Sequence, residues 1–131
     1  MVKDMKETIR NSFIADRELM LLIDKSHIKF YQWVEHTETQ FPYIAIVPQG
    51  TPHPAVHGSN KELSKELTFD IHIQGKDDGV VRQISYRIHR ILEAMGFVQL
   101  PESLDEYLEE IQSYVIVKRY RIVTKLNDTE Y

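Results

Sequence analysis

Apolar positions along the chain change period several times, and each change marks an element. From Met5 to Ile23, the residues Met5, Ile9, Phe13, then Leu19, Met20, Leu22 and Ile23 recur at helical spacing. The pattern stumbles at Asp16, a residue type that caps helices, so it predicts one broken helix or two in tandem. Over 28–34, Ile28, Phe30 and Val34 alternate with Lys29, Tyr31 and Trp33. Both sets carry apolar bulk, which predicts a strand with two partly covered faces. After the polar stretch 35–40, Pro42 disfavours helix for the residue before it, and the run Tyr43–Val47 predicts a second strand. Positions 48–60 hold three of the five prolines and two of the five glycines, which predicts a long loop.

The clearest alternation follows. Leu67, Phe69, Ile71 and Ile73 fall on one face of a strand, and Thr68, Asp70, His72 and Gln74 on the other. Gly75–Gly79 reads as a turn, with Asp77 or Asp78 as N-cap of a helix. Val80, Val81, Ile84, Ile88, Ile91, Leu92 and Met95 form that helix's stripe, Gly96 ends it, and the stripe packs on the Phe69/Ile71/Ile73 face. A short strand is expected over 97–100. Ser103-Leu-Asp-Glu106 then has the form of a capping box, and Leu104, Tyr107, Leu108 and Ile111 keep helical spacing, so one or two helical turns are expected. Ser113 to Val123 closes as a strand, with Tyr114, Ile116, Tyr120 and Ile122 on one face and Val115, Val117, Arg119, Arg121 and Val123 on the other. The order predicts a single α+β domain over 1–126: an N-terminal helical segment and a mostly antiparallel sheet with helices packed on one face. Residues 127–131 read as a flexible C-terminal tail.

Composition narrows the task more than the fold. The 131 residues are 42% hydrophobic and 27% charged, in the range of a folded domain rather than a disordered chain. There is no cysteine, which removes disulfides, thiolate metal sites and thiol nucleophiles, and fits a reducing compartment. The longest apolar runs, Leu19–Ile23 and Tyr43–Val47, fall far short of the about 20 residues of a membrane span. The start, with acids among its bases and no apolar stretch behind it, does not read as a signal peptide. A net charge of −4 disfavours a protein whose main work is gripping phosphates.

Candidate chemistry is sparse. His53 and His57 are four apart in the Pro-rich segment, a metal-ligand spacing on a helix, but Pro52 and Pro54 forbid a regular helix there. His72 and Asp70 share a strand face, an arrangement that orients an imidazole for acid–base work or, more plainly, pairs at an interface. His27, His36 and His89 receive no role. Gly75-Lys-Asp-Asp-Gly79 lacks the Walker spacing, and its aspartates would repel phosphate. More informative is the charge order: Glu102, Asp105, Glu106, Glu109 and Glu110, then Lys118, Arg119, Arg121 and Lys125. Such runs serve as solvated faces, or as opposite patches that meet across a head-to-tail subunit contact. The candidate interface set is therefore His53, Pro54, His57, Asp70, His72, Glu106, Glu109, Glu110, Lys118, Arg119 and Arg121. No catalytic residue, metal site or cofactor is expected.

Several segments together resemble the tail terminator, or tail-completion, proteins of long non-contractile-tailed phages and prophages. They are Phe13-Ile-Ala-Asp16 with Leu19-Met20, Ile28-Lys-Phe-Tyr31, Phe41-Pro-Tyr-Ile44, the segment holding Pro52 and Pro54, Leu67–Gln74 through Ile91-Leu92, Tyr114, and Arg119-Tyr-Arg-Ile122. These motifs are structural, and the resemblance spans roughly residues 5–124. It implies an α+β subunit of a hexameric ring at the head-proximal end of the tail tube, where the ring stops tube growth and joins tail to head. The implied partners are the tail-tube protein and a head-connector protein, with DNA passing through unbound for sequence. The implied location is the virion neck, assembled in bacterial cytoplasm. Two other classes remain open on the residues alone. A nucleic-acid- or ligand-binding regulatory domain would use Arg119–Arg121, and a metal-dependent enzyme would gather His53, His57, His72 and Asp70.

Overall fold

Helix α1 (Met5–Ala15) starts where the Asp4 carboxylate accepts a hydrogen bond from the Lys6 backbone N–H, and it buries Met5, Ile9 and Phe13. The computed structural model describes residues 3–31, 41–50, 53–58, 61–124 and 131, with backbone alone at 53–58 and 61–63. At Asp16 the backbone turns extended (φ −86°, ψ 115°), and its carboxylate accepts from the Leu19 N–H at 2.9 Å. That cap opens α2 (Arg17–Met20), so the stumble in the apolar pattern is a junction of two helices. The same carboxylate takes two side-chain nitrogens of Arg87, at 2.7–3.1 Å, and so ties the junction to α3. The Arg87 guanidinium, above all, holds the Asp16 carboxyl below its ordinary range, with the Leu19 N–H adding to the effect.

The described residues form a six-stranded sheet of β1 (Ile28–Phe30), β2 (Tyr43–Pro48), β3 (His53–Gly58), β4 (Lys61–Gly75), β5 (Val98–Leu108) and β6 (Ser113–Val123), ordered β1-β2-β4-β6-β5 with β3 pairing β4 off that path. Strand β1 (Ile28–Phe30) runs parallel to β2 (Tyr43–Pro48), and every other pairing is antiparallel. Strand β1 stops at Tyr31, which has φ 63°. The remainder of the strand expected to Val34, and residues 35–40, fall outside the described residues. Strand β4 (Lys61–Gly75) is the spine: its first part pairs with β3 (His53–Gly58), and its second lies between β2 and β6 (Ser113–Val123).

Two expectations are corrected here. Positions 53–58 are not loop but strand β3, with register shifts beside Pro54 and Val56. A proline has no N–H to give, so it is tolerated where a strand has a free edge or a bulge, and among the described residues β3 has both. Likewise, Ser103–Glu106 does not start helical turns. Residues 98–108 form one strand, β5, whose register runs from Val98↔Arg121 to Leu108↔Ser113 with a shift between Gln99 and Ser103. The local capping pattern lost to pairing along β6, whose β-branched residues offer a long ladder.

The three helices lie on one face of the sheet. Leu67, Phe69, Ile71 and Ile73 of β4 oppose Ile122, Tyr120, Lys118 and Ile116 of β6, and the apolar members join the core with the helix stripes. Helix α3 (Asp78–Met95), N-capped by Asp77, supplies Val81, Ile84, Ile88 and Leu92 to it. On the opposite face, the Tyr43 hydroxyl donates to Gln74 Oε1 (2.7 Å), and Gln74 Nε2 donates to Ser113 Oγ (2.6 Å). All three residues have zero exposure, so a polar chain crosses β2, β4 and β6 out of reach of water. Tyr131 is partly buried against the core, with Lys3 Nζ 5.5 Å above its ring.

Gly96 closes α3 in the left-handed region, φ 101°. A Cβ there would meet only Ile122 Cδ1 at 3.8 Å, so the constraint is the backbone angle and not space. Gly96→Ala is expected to destabilise by about 1 kcal/mol, read as a shifted urea midpoint at unchanged m. No shift would mean that the helix end relaxes out of that region.

Candidate functional site

The face away from the helices carries most of the charged residues singled out from the sequence. Asp70 and His72 share it, as their alternation predicts. Asp70 also sits directly opposite Arg119 in the β4–β6 register. Arg119 Nε and Nη2 donate to its two carboxylate oxygens at 2.7 and 3.2 Å, and Gln49 Nε2 donates at 2.9 Å. Directly opposed residues of unlike charge stabilise a sheet, and this pairing raises the Arg119 pKa. Arg121 Nη1 lies 3.8 Å from a Glu66 oxygen. Two of the expected basic interface residues therefore meet acids of β4 within the chain. This was foreseeable only with the strand pairing in hand, since Asp70 and Arg119 are far apart in sequence.

His72 stands between Ala45 of β2 and Val117 of β6. Burial among such neighbours pushes its pKa below the ordinary 6.5, and the Asp70 charge offsets this in part. As pH falls through 6.5 the unfolded chain takes up a proton that the folded chain declines, so stability falls below that point and is level above it. Denaturant midpoints are expected to drop between about pH 7.5 and 5.5, and His72→Gln to flatten the slope. An unchanged slope in the variant would assign the titration elsewhere.

Glu106 is exposed on that same face, and Glu109 and Glu110 are exposed at the turn after β5. The backbone of His53, Pro54 and His57 lies in β3. Lys118 is on the other side, facing the helix layer opposite Ile71 and Ser103. Among the described residues no group of three or more His, Asp or Glu is placed to hold a metal ion. No helix among them is long and apolar enough to cross a membrane.

The helix side holds a feature that the sequence reading did not assign. Helix α3 packs mainly over β4 and β6 and meets β5 through the Arg82 side chain. The step so left is a groove of about 420 Å³, lined by Arg82, Ser85 and His89 of α3, Gln99 and Ser103 of β5, and Lys118 of β6, among others. His89 Nδ1 is 3.1 Å from the Tyr120 hydroxyl, and Nε2 is 3.7 Å from Glu93. Burial pushes the Tyr120 phenol up to about 12, so it stays protonated at any physiological pH. Arg82 clamps Asp105 with two bonds, 2.9 and 3.2 Å, and reaches Asp78 at 3.0 Å. Polar residues on α3 and β5 carry no shared sequence signal, which is why the groove was missed.

No protein-family model matches the sequence, and no curated protein matches it. Among solved structures, a chain from the virion of a native gene transfer agent particle is similar in fold, with a TM-score of 0.62. The match covers 88% of this chain and 90% of that chain, at 15% sequence identity. The likeness is therefore one of fold along nearly the whole length.

Proposed function

We propose that the protein is a non-catalytic structural component of a phage-like particle, a tail terminator that caps the head-proximal end of the tail tube as a ring. The observation that carries this reading is the end-to-end fold likeness to a gene transfer agent virion chain, which agrees with the resemblance read from the sequence. The surface supports it. Exposed acids, Glu109 and Glu110, stand at the turn after β5, and bases stand on β6, so patches of unlike charge lie on one subunit. Contact between unlike patches is head-to-tail, and such contacts close rings when the rotation permits. In this reading His53, Pro54, His57, Glu106, Glu109, Glu110 and Lys118 lie at subunit or neck contacts. Asp70, His72, Arg119 and Arg121 form a pre-organised face beside them.

The test is the mass of the assembly, by size-exclusion chromatography with light scattering at low and high salt, with negative-stain imaging. The expected species is a ring of six copies of the 15.5 kDa chain, which also halts polymerisation of a partner tail-tube protein. A strict monomer at every concentration that leaves tube growth unchecked would overturn the proposal.

A further inference from the structure

Strand β5 is left open in three ways at once. It is the last strand of the sheet, so one edge has no neighbour among the described residues. Helix α3 packs mainly on β4 and β6 and reaches β5 through the Arg82 side chain. Three of the large hydrophobic residues that stay exposed lie along it: Val98 at 56%, Leu104 at 38% and Tyr107 at 47%. Tyr86, 63% exposed, stands on the α3 side of the adjoining groove. A free edge offers backbone donors and acceptors to an added strand.

The groove beside that edge has its own unmet groups. Ser85 is 3% exposed, and its Oγ has no hydrogen-bond partner among the described residues. A buried hydroxyl left so costs stability unless something else engages it. Of the charged residues lining the groove, Arg82 is shared between Asp105 and Asp78, and Lys118 makes no ion pair among the described residues. An ammonium group without an acid on it and an unengaged hydroxyl thus line the same groove. The register shift between Gln99 and Ser103 interrupts β5 before this point, and pairing is regular from Ser103 to Leu108.

We propose that the free edge of β5 and the groove between β5 and α3 together bind an extended segment of a partner protein, one carboxylate side chain of which seats against Lys118 and over Ser85. Strand addition supplies the affinity, and alternate side chains of the added strand enter the groove and supply the specificity. A carboxylate suits Lys118, whereas a cationic side chain would meet it with like charge. The site does not depend on the ring: an assembly of any stoichiometry, or a monomer, presents β5 in the same form.

A fluorescent, end-capped ten-residue peptide of alternating Glu and Val is the probe, titrated by polarisation. Saturable binding is expected, weakened at least tenfold by Lys118→Glu and severalfold by Ser85→Ala. Ser85→Ala removes a hydroxyl that makes no hydrogen bond among the described residues, so folding is preserved and the loss is read at the site. The same peptide with Lys for Glu, or with alternate amides N-methylated, is expected not to bind. Equal binding of the Lys peptide, indifference to N-methylation, or unchanged affinity in both variants would overturn the proposal. So would native mass spectrometry showing that Lys118→Glu changes the number of copies in the assembly, because the groove would then hold a second copy. A failed ring with intact peptide binding would overturn only the ring.

Discussion

Phe69→Ala is expected to lower the unfolding free energy by about 4 kcal/mol, in the usual range for an aromatic truncated in a core. Phe69 is 3% exposed in the middle of β4, opposite Pro48 on one side and Tyr120 on the other. Its ring meets Phe97 edge-on at 6.1 Å between centroids. Truncation forfeits the transfer free energy of the ring and leaves a cavity bounded by two strands and the helix layer, which cannot collapse without breaking register. For a chain of this size the midpoint of thermal unfolding is expected to fall by roughly 12–20 °C. Tyr86→Ala, at a position 63% exposed, is the control and is expected to change stability by less than about 0.5 kcal/mol. Equal effects of the two would show that the core is not centred on β4.

The second large effect is expected at Gln74. Its amide accepts from the Tyr43 hydroxyl and donates to Ser113 Oγ, with all three residues at zero exposure. Gln74→Ala removes both bonds, leaves a void and strands polar groups away from water, at a cost of about 3 kcal/mol. The penalty arises mainly from the groups left behind. Replacing the whole chain with apolar residues of similar shape, Tyr43→Phe with Gln74→Leu and Ser113→Ala, is therefore expected to recover at least half of it. If the triple variant unfolds as early as Gln74→Ala, the loss lies in packing, and the hydrogen-bonded chain contributes little.

The two substitutions probe opposite faces of one strand, and the sequence distinguished those faces unequally. Alternation put Leu67, Phe69, Ile71 and Ile73 together, and they are together in the core. It put Gln74 on the polar face with Thr68, Asp70 and His72, yet Gln74 is fully buried. A glutamine in one strand carries no mark of the tyrosine and serine that will satisfy it from two others. The same reason hid the cross-strand partner of Asp70. His72 was nearest in sequence, but the residue opposite in register was Arg119.

Local chemistry by itself determined the helices and the strand identities where burial demanded one face: the Asp16 junction, the α3 stripe and its Gly96 stop, and strands β2, β4 and β6. These signals act within a few residues, through caps, turn angles and period. Only the tertiary structure decided that 53–58 is a strand and that the strand expected over 97–100 runs on to Leu108, because their local signals, prolines in one and a capping box in the other, were outweighed by ladder bonds to β4 and β6. It also decided which charges are already engaged, and where the helix layer ends. That last boundary, with α3 packed mainly on β4 and β6, leaves the groove at Lys118 and Ser85. It depends on how helices settle on a sheet, a relation between distant segments that no stretch of the sequence contains.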